Sequence, residues 1–124
     1  MPKTFRCLRV LCAFLLTVAV APAALAHAHL VSSAPAADAQ VQGGPQQLVL
    51  TFTEGVEPRF SRISLSGPVQ VTVPSAALGS DNGDNTRLRV PLDKALPAGE
   101  YQVAWKVVSV DGHRTQGTYR FTVK

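Results

Sequence analysis

The chain has 124 residues, with 12 Lys and Arg against 8 Asp and Glu for a formal charge of +4, and only two cysteines, one methionine and three histidines. The surplus is concentrated at the start, where Lys3, Arg6 and Arg9 precede an apolar run from Val10 to Val20 and a small-residue ending at Ala24-Leu-Ala26. A basic start, a short apolar core and a small-x-small close are the parts of a secretory signal, so residues 1–26 are expected to be removed and residues 27–124 to form the working domain. The apolar run is shorter than the about 20 residues that a membrane span needs. Cys12 lies inside that run behind Leu11, which argues against a lipid anchor.

Processing after Ala26 removes three basic residues and no acidic one, so 98 residues of charge +1 remain. That charge gives no electrostatic footprint for nucleic acid, and no direct membrane insertion is expected after signal removal. Cys7, Cys12 and Met1 leave with the signal, while His27, His29 and His113 stay. An exported domain without cysteine has no disulfide to reinforce a small core. One domain fits the length and two do not.

Along the domain, His27 to Ser32 is a possible short first strand, and Ala34 to Gln40 could form a helical turn at most. Gln47–Thr53 then alternates, with Leu48, Leu50 and Phe52 on one face. Phe60–Ser66 follows through Ile63 and Leu65, and Pro68–Val73 through Val69, Val71 and Val73. Asp81–Asn85 reads as a polar surface loop. Thr86–Leu92 puts Leu88, Val90 and Leu92 inward. Tyr101–Val110 presents Tyr101, Val103, Trp105 and Val107, and Thr118–Val123 presents Tyr119, Phe121 and Val123. Period two marks strands with one buried and one wet face. About seven short strands separated by Gly, Pro and Asn-Gly signals predict an all-β, single antiparallel β-sandwich of immunoglobulin-like type.

Nucleotide-binding glycine patterns, a nucleophile elbow and a cysteine nucleophile are absent. Ser109, Asp111 and His113 crowd one short segment, which suits a serine triad poorly. A thiolate zinc site is excluded. What stands out is that every histidine of the domain falls in one of two short clusters. Cleavage would make His27 the first residue, offering its amine and imidazole to one metal ion. Asp111 and His113 are two apart, as are His27 and His29. Nitrogen and oxygen donors without sulfur favour Cu(II). Each piece also has a plain reading: Asp111-Gly112 as a turn after a strand, His113 as a loop residue, His27 and His29 as solvated terminal residues, Trp105 as core. Spacing leaves both readings open.

Three segments, His27 to Val41, Leu48 to Pro58 and Ala98 to His113 with its continuation Gly117 to Val123, resemble the CopC family of periplasmic copper-binding proteins. The histidine at the expected mature start and the run Trp105-Lys-Val-Val-Ser-Val-Asp111-Gly-His113 are specific in combination. The resemblance implies a Greek-key β-barrel, cupredoxin-like or immunoglobulin-like, in the periplasm. It implies a Cu(II) site of His27, Asp111 and His113, with His29 ranked below them. Some members also hold Cu(I) in a methionine-rich loop, and a domain without methionine is expected to be Cu(II)-only. The implied role is copper sequestration, homeostasis or delivery to a CopD-like inner-membrane copper transporter, without enzymatic activity. Two other functions compete: a copper-dependent oxidative enzyme using an N-terminal histidine, and a plain sandwich module for adhesion or assembly.

Overall fold

The computed structural model describes residues 27–124, so the expected signal at 1–26 lies outside the described residues. Among the described residues there are nine strands: β1 (Leu30–Ala34), β2 (Gln40–Val41), β3 (Gln47–Phe52), β4 (Arg62–Ser66), β5 (Val71–Val73), β6 (Gly79–Asp81), β7 (Asp84–Pro91), β8 (Gly99–Val108) and β9 (Arg114–Val123). Short 3-10 turns occupy Pro58–Phe60 and Ser75–Ala77. Among the described residues, no helix is long and apolar enough to cross a membrane.

The strands form two sheets, ordered β1-β3-β7-β6 and β2-β9-β8-β4-β5. This is the expected all-β sandwich. Its order corresponds to the ABED and GFC sheets of immunoglobulin domains, with β5 added beyond the C position and β2 beyond the G position. Every pairing is antiparallel except one: β2 runs parallel to β9, Gln40 against Thr122 and Val41 against Val123. The N-terminal arm therefore enters one sheet as β1 and the other as β2.

The period-two faces meet in the core. Leu48, Leu50, Leu88 and Val90 from one sheet and Ile63, Leu65, Tyr101, Val103, Val107 and Phe121 from the other are essentially inaccessible. Burying each large apolar side chain contributes about 1.5–3 kcal/mol. Tyr101, near the start of β8, donates its hydroxyl to the Pro97 carbonyl at 2.7 Å, the tyrosine corner of such sandwiches. Its burial pushes the phenol pKa up.

Several boundaries differ from the sequence reading. The first strand begins at Leu30, while Ala34–Gln40 keeps within the one turn expected of it, Ala39 N–H donating to the Ala36 carbonyl at 3.1 Å. Asp81–Asn85 is a hairpin rather than a loop. Asn82 and Gly83 both have positive φ, 52° and 77°, so two residues reverse the chain from β6 into β7. Val69 precedes β5 and is exposed, and Leu92 is only partly buried against the core.

Candidate metal centre

The β8–β9 hairpin places Asp111 and His113. Its last ladder pair is Val108 with Arg114, and Ser109 N–H then donates to the His113 carbonyl at 2.8 Å. Three residues, Val110, Asp111 and Gly112, make the reversal. Gly112 sits at φ +88°, a left-handed conformation that glycine adopts without a Cβ penalty. Asp-Gly is thus a turn, and the turn is what holds the candidate ligands.

Within it, Ser109 Oγ donates to Asp111 Oδ1. Asp111 Oδ2 lies 3.0 Å from His113 Nδ1, and the His113 backbone N–H also points at Oδ1, at 3.4 Å. These donors favour the charged carboxylate, the Ser109 hydroxyl most and then the His113 side chain, and bring the Asp111 pKa down to about 2. With Nδ1 engaged by the carboxylate, Nε2 is the His113 nitrogen left to face a metal.

His27 arrives from the other end of the chain. Ala28 is fully buried in the core, and its carbonyl accepts from Thr115 Oγ1 at 2.7 Å. On the other side, the Thr53 hydroxyl accepts from His29 N–H at 3.0 Å and donates to the His27 carbonyl at 3.3 Å. Thr53 N–H donates to the His29 carbonyl at 2.9 Å. The segment is clasped between the end of β3 and the start of β9. This brings the His27 and His113 rings edge to face, 4.7 Å between centroids. The His27 Nδ1 is buried and has no hydrogen-bond partner among the described residues. An orphaned buried nitrogen costs stability unless something takes its lone pair or proton.

The structure thus brings His27, Asp111 and His113 together pairwise, through His113. Among the described residues, no three His, Asp or Glu side chains already converge in a metal-holding array. The His29 ring is exposed and lines a separate groove with Trp105, Gln116 and Tyr119. The sequence reading set Ser109 aside with the triad and did not single out Thr53 or Thr115. Ser109 shares the spacing of Asp111 and His113, a signal that was available. The two threonines carry none, because their role depends on which strand ends meet.

Comparison with known proteins gives one answer. A family model described as the CopC domain matches residues 30–124. Protein YobA of Escherichia coli (strain K12) is 45% identical over 124 residues, covering all of both chains. Copper resistance protein C of Escherichia coli is 36% identical over 115 residues, 88% of this chain and 90% of that one. Among solved structures, CopC from Methylosinus trichosporium OB3b superimposes with a TM-score of 0.69 at 32% identity, covering 79% of this chain and 94% of that one. PcoC, a methionine-rich copper resistance protein from Escherichia coli, gives 0.64 at 34% identity, covering 80% and 100%.

Proposed function

The chain belongs to the CopC family, and from that premise we propose that it is a periplasmic, non-enzymatic Cu(II)-binding protein that sequesters copper or hands it to an inner-membrane transporter. Relatives named copper resistance protein C support the copper part of this reading. The observation that carries the site is the approach of the His27 ring to His113, with a buried His27 nitrogen that has no partner among the described residues.

In this reading His27 and His113 supply imidazole nitrogens, and His27 adds its amine once residues 1–26 are removed. Asp111 supplies carboxylate charge and an oxygen donor, retaining lone-pair capacity beside its Ser109 and His113 contacts. Such nitrogen and oxygen donors suit Cu(II). Cu(I) would want thioether or thiolate, and Met1, Cys7 and Cys12 all precede residue 27. PcoC is described as methionine rich; this domain is its opposite.

The test is Cu(II) titration of protein beginning at His27, with paramagnetic resonance readout. One equivalent should bind with nitrogen and oxygen signatures, and affinity should fall as protons compete for an amine of reference pKa about 7.7–8.0 and for the imidazoles. A form with one extra residue ahead of His27 keeps every side chain but converts the amine to an amide. Equal affinity in both forms would remove the amine from the ligand set. Absence of Cu(II) binding would return the domain to a plain sandwich module, and reductant-driven oxygen consumption would favour the enzyme.

A further inference from the structure

The outer face of the second sheet divides into two electrically different halves. Outward positions alternate with the core positions, so Arg62 of β4, Lys106 of β8, and Arg114 and Gln116 of β9 share this face. The register sets Arg62 opposite Lys106, Lys106 opposite Gln116, and Val108 opposite Arg114. Like charges directly opposite across two strands destabilise a sheet. Arg59, from the 3-10 turn, joins them around Phe60, which is 64% exposed.

None of Arg59, Arg62, Lys106 or Arg114 forms an ion pair among the described residues. The pairs found there are Arg87–Asp81, His113–Asp111 and Arg120–Glu100. The last belongs to the far half of the same face, which is thereby neutralised, with Gln102 also touching Arg120. Glu57, just ahead of the 3-10 turn, makes no ion pair either. Four uncompensated cations in a domain of net charge +1 are a local feature rather than a diffuse surplus.

The patch is concave and adjoins the metal-site hairpin. One hollow of about 510 Å³ is lined by Phe60, Arg62, Lys106, Val108, Arg114 and Gln116. A second, of about 300 Å³, adds Arg59 and Gly112, and Gly112 lies between Asp111 and His113. Three of the four cations are arginines, whose planar forks pair bidentately with carboxylates.

We propose that this Phe60-centred basic face is the docking surface for an acidic polypeptide segment of a partner protein, seated beside the copper hairpin. The placement beside the hairpin has its meaning through the copper reading, while docking itself does not need the metal. Arginine forks in small hollows around one exposed ring fit carboxylate side chains on a chain. A bilayer surface would call for a broader basic field than a +1 domain supplies.

The test uses a fluorescently labelled octa-glutamate peptide as probe, read by anisotropy at low and high salt. Binding should be saturable, weaken with salt, and fall roughly fivefold in Arg62→Gln with Lys106→Gln, the loss expected of two partly exposed charge contacts. The same should hold for Arg59→Gln with Arg114→Gln. Arg120→Gln, in the neutralised half, should bind as the parent does. Folding of the first pair is secure because it relieves a like-charge contact, and thermal melts check both. No peptide binding, or equal binding in every variant, overturns the proposal. So does adsorption to phosphatidylglycerol vesicles without peptide binding. Cu(II) titration of the same variants should match the parent. A parent protein that takes no copper would sink the copper reading and leave the peptide result to decide docking.

Discussion

Replacing Gly117 with Ala tests how tightly β9 is packed over the core. Gly117 lies opposite Trp105 in the β8–β9 ladder. A Cβ there would sit 2.8 Å from Trp105 Cε2 and 3.1 Å from Nε1, with Cζ2 closer still, whereas ordinary contact starts at 3.4 Å. Ring or strand must therefore yield by at least about 0.6 Å. The ring cannot retreat freely: Phe52 packs against it edge to face at 5.3 Å and is itself buried. Nor does the strand shift without straining its ladder. Overpacking of this kind costs about 1–3 kcal/mol, offset by roughly 0.5–1 kcal/mol from removing a strand glycine. A net loss of about 1–2 kcal/mol lowers the melting temperature by about 5–15 °C in a domain this size. Circular dichroism gives the melt, and Trp105 emission shows whether the ring has moved. If β9 is what yields, Thr115 moves with it and loosens its grip on the Ala28 carbonyl, so Cu(II) affinity falls in parallel. A Gly117→Ala protein as stable as the parent would refute the packing argument.

Three other outcomes are expected. His113→Ala should weaken Cu(II) binding at least about tenfold, a loss typical even of groups behind the ligands, with the melt of metal-free protein nearly unchanged; unaltered affinity in the titration would exclude the imidazole. Ser109→Ala removes the largest cause of the low Asp111 pKa, so NMR titration of metal-free protein should show it rising from about 2 toward 3.8. Because that folded pKa is depressed, the carboxylate's stabilising contribution is present above about 3.8 and lost as pH falls toward 2, a window that the variant should narrow. Tyr101→Phe leaves the Pro97 carbonyl without its donor and should cost about 1 kcal/mol in chemical denaturation, with no change in copper affinity.

The sandwich was legible because period two leaves little freedom: a one-residue slip would send Leu48, Leu50 and Phe52 to the solvent side. What lacked a period was hidden. Gln40 and Val41 form a strand too short to alternate, and their parallel match to β9 depends on where the arm lands. Asn82-Gly83 carried the two-residue turn signal yet sat among polar residues that read as loop. At the site, the clustering of histidines singled out the candidates His27, His29 and His113. That His27 and His113 touch was not, since it rests on Ala28 entering the core and on Thr53 and Thr115 catching the segment. The basic face was illegible for a similar reason. Alternation shows that Arg62 and Lys106 point outward, but Arg114 lies ahead of the strand read at Thr118–Val123, and only register places the three side by side.

The clasp at Ala28 joins residues 87 positions apart, and the His27–His113 contact lies against it. An ion held by both rings would tie the first strand's approach to the last hairpin, enclosing nearly the whole domain in one ring. For a covalent bridge, closing a loop of about 100 residues removes unfolded-state entropy worth about 4.7 kcal/mol, in the chain-entropy account. A labile metal clip acts on the same ensemble, to an extent set by its concentration over its dissociation constant. Residues 27–124 contain no cysteine, so bound ion and cross-link would then be one object. Losing the ion would leave a looser chain, so the copper level around the protein would also set how long each molecule survives proteolysis.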